Sequence, residues 1–192
     1  TDYPSWFKKY KGNILSTTID KYVYLSLRNQ PPYFNYKYRV VWSKVENVKN
    51  INLIQHNVVR EMFKYFKLNN GVDLHYQGDL PARSGMGSSS SFVVGLMKIL
   101  LQKNKINISN QELAKKCIFF EQKILKETVG IQDQISATFG GFNKINIEKN
   151  GTFKIKKIKI NKNIKNFNNN LILLFTGIYR TANEIAGQYV TQ

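Results

Sequence analysis

The chain has 192 residues, 42% hydrophobic and 13% aromatic, with 29 basic and 12 acidic side chains for a net charge of +17. That length accommodates one sizeable core or one domain and part of another, and the composition excludes general disorder. No apolar run approaches the ~20 residues of a membrane helix, the opening TDYPSWFKKYKG lacks the apolar stretch of a signal peptide, and two histidines with one cysteine leave little for a Cys/His zinc site.

The expectation is a soluble, cytoplasmic protein with Cys117 as a free thiol. A basic excess of this size can mark attraction to nucleic-acid phosphates. Here the lysines alternate with asparagine and isoleucine, most densely in KIKKIKINKNIKNFNNN (residues 154–170). With no C₂H₂ finger, RNA-recognition signature or KH loop, the charge reads as a solvated surface and nucleic acid is not the expected partner.

Residues 13–27 (NILSTTIDKYVYLSL) are rich in β-branched and aromatic side chains and predict one strand or a pair. Pro31-Pro32 breaks the pattern, and residues 36–45 predict another strand. Ile54, Val58, Met62 and Phe66 recur at helical spacing. Val72, Leu74 and Tyr76 alternate in a strand that leads to PARSGMGSSSSF (residues 81–92). The apolar run over 92–101 predicts a helix buried on most faces. Ser109 and Glu112 form the S-x-x-E capping box of a helix extending to about Glu127. Residues 141–160 predict a hairpin around Asn150-Gly151, with a bulge or break at Lys156-Lys157 where the apolar phase slips. Residues 171–178 read as a buried strand and 181–190 as a helix. Strands and helices mix without regular βαβ alternation, so the expected class is α+β.

The serine segment is the chemical signal. A strand, a glycine-rich turn and a helix with serines in its first turn make an anion site, because glycine admits close approach while the helix end supplies N–H groups. The alternative is a serine-rich cap on a core helix, for which one serine suffices. A GxxxxGK[ST] loop is excluded because no lysine follows Gly87, a dinucleotide fingerprint because residue 90 is serine, and a hydrolase elbow because no G-x-S-x-G occurs.

The stretch from Pro81 to Ser90 (PARSGMGSSS) resembles the P-x-x-x-G-L-G-S-S-A motif of the GHMP kinases. Thr1-Asp2-Tyr3 resembles the sugar-contacting T-D-Y of the galactokinase-like branch, and Glu121 and Asp133, twelve positions apart, resemble its magnesium glutamate and catalytic aspartate. DLPARSGMGSSSSF, GIQDQISATFGGFN and FTGIYRTANEIA resemble the heptose 7-phosphate kinase branch, over essentially the whole chain. The resemblance implies a GHMP kinase fold, with residues 1–166 as an N-terminal ATP-binding domain lacking its first strand and 167–192 as the start of a truncated C-terminal domain. A piece of a longer enzyme is therefore expected.

The implied reaction is ATP-dependent phosphorylation of the anomeric hydroxyl of D-glycero-D-manno-heptose 7-phosphate, for surface polysaccharide precursors. The alternatives are another sugar-1-kinase of the family and a non-catalytic sugar sensor. Arg83, Ser84, Gly85, Met86, Gly87, Ser88, Ser89, Ser90 and Ser91 are implied to bind ATP, Ser89 and Glu121 to hold Mg²⁺, and Asp133 to act as the proton acceptor. Asp2, Gly140, Gly141 and Arg180 are implied to meet the phosphorylated sugar. Asp133 alternatively caps a helix over 134–139, Glu121 is alternatively an exposed helix residue, and Arg180 a surface cap. His56, His75 and Cys117 read as structural.

Overall fold

Alternation in β5 (Val72–Gly78) puts Val72, Leu74 and Tyr76 on one face, where they join the main core. The computed structural model describes residues 1–82 and 84–159, together with 166, 169–172 and 174. Beside β5 lie β2 (Val23–Asn29), antiparallel, and β3 (Tyr38–Val41), parallel, with β4 (Val45–Val48) outside β3; the order is β2-β5-β3-β4. Helices α2 (Asn57–Tyr65), α3 (Ser88–Lys103) and α4 (Asn110–Phe119) contribute Val59, Met62, Phe63, Val93, Leu96, Met97, Leu100 and Cys117 to the core against that sheet.

A second sheet of order β1-β6-β7 is built from β1 (Gly12–Thr17), β6 (Phe142–Ile147) and β7 (Phe153–Lys157), all antiparallel. It packs Ile145, Ile147 and Phe153 with Ile135 of α5 (Gln132–Phe139) and Phe7 of α1 (Pro4–Tyr10). The class is α+β, as the element order predicted.

Several boundaries differ from the sequence expectation. Residues 13–27 do form two strands, and they belong to different sheets. Residues 36–45 make a hairpin of β3 and β4, because the Trp42 N–H bonds back to the Lys44 carbonyl at 2.8 Å. The capping box at Ser109 and Glu112 is formed in both directions. The helix it opens changes to a π-helical turn at Phe120–Ile124. The hairpin at Gly151 is present, and at the phase slip β7 simply ends at Lys157. Helix α1 had a signal that was not read, a proline at its first position. The strand expected over 171–178, the helix over 181–190 and the domain boundary near 166 lie outside the described residues or fall on isolated ones.

His56 caps α2 by accepting from the Val59 N–H through Nδ1 at 3.5 Å, its ring set between Trp42 and Phe92, and burial holds its pKa below the ordinary imidazole value. Nε2 of His75 lies 2.9 Å from Asp73 Oδ1. Cys117 is buried, and burial pushes its thiol pKa up.

Candidate active site

Beyond β5 the chain enters α3 at Ser88, so the serines stand in the first turn of the helix as the sequence predicted. Gly87 is the N-cap, in the left-handed region with φ 72°, and no side chain caps the helix. The reading of the serines as caps is thereby excluded. The first N–H groups of α3 are left to an outside acceptor, at the positive end of the helix dipole. Glycine is favoured at 87 by that φ, and Asp133 lies beside it: a Cβ there would stand 3.6 Å from Asp133 Cγ, in ordinary contact.

Asp133 arrives from α5. It is the second residue of that helix, whose N-cap is Ile131 with no side-chain cap bond, so the helix-cap alternative for Asp133 is excluded. The cap comes from 130 residues away: Asp2 Oδ2 accepts from the Gln132 N–H at 3.0 Å. Asp2 crowds Gly130 so closely that a Cβ there would overlap its carboxylate. Burial raises the Asp133 pKa first and the Asp2 charge adds to it. Asp133 is thus a stronger base than a solvated aspartate.

Gly85, Met86, Gly87, Ser91 and Asp133 line one cavity of about 250 Å³. Its other wall is the end of β1 and the turn after it: Ser16, Thr17, Thr18 and Lys21. Ser16 is tied to Ser136 of α5 by a 2.7 Å hydroxyl pair. Sequence reasoning absorbed these residues into a strand; the polar run Ser16-Thr17-Thr18 was the signal available. Gly140 and Gly141 turn α5 into β6, and Gly141 exchanges bonds with Thr18, donating to Thr18 Oγ1 at 2.8 Å and accepting from its N–H at 3.1 Å. They position a wall of the cavity without lining it.

Glu121 is fully buried in the π-helical turn, so the exposed-helix alternative is excluded. Ser90 Oγ donates to its Oε2 at 3.2 Å, and Gln134 Nε2 donates to the same oxygen. Oε1 is buried with no partner among the described residues. Burial pushes the Glu121 pKa up to about 7, against the two hydrogen bonds that lower it. The hydroxyl that reaches Glu121 is that of buried Ser90, whereas Ser89, expected to share the metal, is exposed. Ser84 Oγ is buried without a partner, and Ser88 sits half-buried at the helix start. Arg83 and Arg180 lie outside the described residues.

Comparison with known proteins bears on this arrangement. Residues 52–141 match the family described as GHMP kinases N terminal domain. That match, just under half of the chain, resembles a GHMP kinase N-terminal domain. It contains the glycine loop, Glu121 and Asp133, while Asp2 and Arg180 fall outside it. Over 198 aligned residues the chain is 27% identical to a D-glycero-alpha-D-manno-heptose 7-phosphate kinase of Campylobacter jejuni, covering 96% of this chain and 58% of that protein. It is 30% identical to a galactokinase of Pyrococcus furiosus over 54% of this chain and 28% of that one. The fold of a D-glycero-D-manno-heptose 1-phosphate kinase from Bacteroides thetaiotaomicron superposes with a TM-score of 0.73 at 23% identity, over 85% of this chain and 56% of that one. The chain thus spans little more than half the length of the heptose kinases it matches, and the GHMP kinase fold is common to both.

Proposed function

We propose that the intact protein is an ATP-dependent sugar kinase that phosphorylates the anomeric hydroxyl of D-glycero-D-manno-heptose 7-phosphate, in the cytoplasm, toward surface polysaccharide precursors. Residues 1–166 make its ATP-binding domain and 167–192 begin the domain that completes it. One observation carries the reading: Asp133, open to the cavity and made more basic, shares it with the glycine turn and the uncapped start of α3. A base and a phosphate cradle in one cavity are what hydroxyl phosphorylation requires.

The N–H groups of residues 85–91, with the hydroxyls of Ser88 and Ser91, hold the ATP phosphates, while the Ser90 hydroxyl stays on Glu121, and Arg83 adds charge. Asp133 takes the proton of the anomeric hydroxyl. The sugar oxygen bonds to the γ-phosphorus as the bond to the departing ADP breaks. Asp2 serves the site by holding the N-terminus of α5, with its second oxygen left for a sugar hydroxyl; Arg180 pairs with the 7-phosphate. Mg²⁺ fits the donor set of orphaned Glu121 Oε1 and the hydroxyls at the start of α3, Ser89 being the expected one. When bound, Mg²⁺ supplies charge neutralisation on the ATP phosphates.

The test is ATP-dependent transfer by the full-length enzyme to the heptose 7-phosphate and to free galactose. A preference of about tenfold or more in kcat/KM for the phosphorylated sugar is expected from a charge-assisted phosphate contact. Equal use of galactose would remove the heptose assignment, and no transfer to either would remove the kinase.

A further inference from the structure

The four-stranded sheet has a second anion-adapted region, at the end away from the glycine loop. β5 separates the two by seven residues, about 20 Å of strand. Register aligns Gln30, Gly71, Lys37 and Lys49 in one row across β2, β5, β3 and β4, just past their paired ends. Gly71 has no side chain in that row. A Cβ there would stand 2.5 Å from the Lys37 carbonyl and 3.2 Å from Gln30 Cβ.

The gap opens into a cavity of about 360 Å³, the size of a small-ligand site. Gln30, Phe34, Tyr36, Lys37 and Lys49 line it, and no carboxylate does. Both amide atoms of Gln30 are buried and have no hydrogen-bond partner among the described residues. A buried amide left without partners costs free energy that a ligand with a matching donor and acceptor recovers. Phe34 and Tyr36 present paired rings, 5.2 Å apart and inclined by 31°. The ammonium of Lys37 rests 5.7 Å from the Tyr38 ring centroid, a neutral partner that leaves its charge to act on a ligand. Two rows further along, on the same face, Arg28 and Arg39 share the single carboxylate of Asp73, at 2.9 and 4.0 Å, which leaves further positive charge in the neighbourhood.

We propose that this cavity binds a mononucleotide: the base edge pairs with the Gln30 amide, the base plane packs on Phe34 and Tyr36, and the phosphate meets Lys37 and Lys49. The chemistry needed is a planar group with adjacent donor and acceptor, joined to a phosphate, and a nucleoside monophosphate combines them. The site is separate from the glycine loop and does not depend on the kinase reading.

Calorimetric titration of the intact protein with AMP and UMP, with adenosine, uridine and inorganic phosphate alongside, tests it. A saturable monophosphate site is expected, with the nucleosides about tenfold weaker for want of the charged contact. Exposed Lys49→Glu and Gln30→Leu should each weaken it about tenfold, with unchanged melting as the folding control, while Gly87→Val in the distant loop should leave it intact. The proposal is overturned if affinity is lost with Gly87→Val and kept in Lys49→Glu, which puts the nucleotide in the glycine loop. Equal binding of inorganic phosphate would reduce the site to an ion site. Much tighter binding of a thymidine oligonucleotide at the same residues would make it a strand surface. No saturable binding of any monophosphate would dispose of it altogether.

Discussion

At one end of the four-stranded sheet β5 releases the chain through residues 79–87 into α3; at the other, Gly71 admits it between Gln30 and Lys37. At the first end the groups that face an anion are mostly N–H donors and hydroxyls, with the one ammonium of Lys21, and two carboxyls lie nearby, Asp133 on the cavity wall and buried Glu121. At the second the facing charges are lysines and carboxylates are missing from the cavity wall. Neutral donors hold a phosphate while leaving room for a cation and a base beside it, as transfer chemistry requires. Ammonium groups hold it outright and offer no proton acceptor, which suits binding alone.

The largest effect that would break this contrast is chemical. Asp133→Asn keeps the shape and removes the proton acceptor, so kcat of the full-length enzyme should fall on the order of 10²–10⁴-fold, roughly 3–5 kcal/mol of barrier. Melting should be unchanged, because Asp133 is not the cap of α5. A normally folded variant that keeps more than about a tenth of wild-type kcat is outside that range, and the base would have to be sought elsewhere.

Glu121 sharpens the contrast through pH. Its folded pKa, raised to about 7 by burial, lies above the ordinary 4.5, so between those values the folded state holds a proton that the unfolded state has released. Stability without magnesium should therefore be fullest at or below the unfolded value and fall as pH rises through the folded one, by an amount of about 3 kcal/mol. Glu121→Gln should flatten that slope in urea titrations taken across the interval. A variant with the wild-type slope would show that another group carries it.

The smallest effect is a control remote from both ends. Ser109→Ala removes one half of the capping box of α4 and should cost about 1 kcal/mol of unfolding free energy. Turnover and nucleotide affinity should stay as they were. A change in either would mean that α4 transmits strain to the cavity through Glu121, which follows it in the chain.

The loop was legible because its chemistry is local. Gly85 and Gly87 adopt positive φ, Ser88 opens the helix, and nearest-neighbour geometry is enough to relate the three. The helix-forming box at Ser109 and the hairpin at Gly151 were readable for the same reason. Asp2 was read as a sugar ligand from its resemblance alone, and its bond to Gln132 could not be read, since nothing local links residues 130 apart. The turn of β3 into β4 was missed because apolar residues continue through Trp42, while the reversal is made by backbone bonding.

The sequence by itself determined which residues can bend, cap, ionise or accept a proton, since backbone freedom and pKa begin as properties of single residues and their immediate neighbours. Tertiary structure decided which of them meet. Folding brought Asp133 beside Gly87 and chose Ser90 over Ser89 for Glu121. It also set Gln30, Lys37 and Lys49 in one row across strands distant in the chain. Burial then changed the character of what had been assembled, because a carboxyl removed from water at Glu121 holds its proton more tightly than the same group in the open chain.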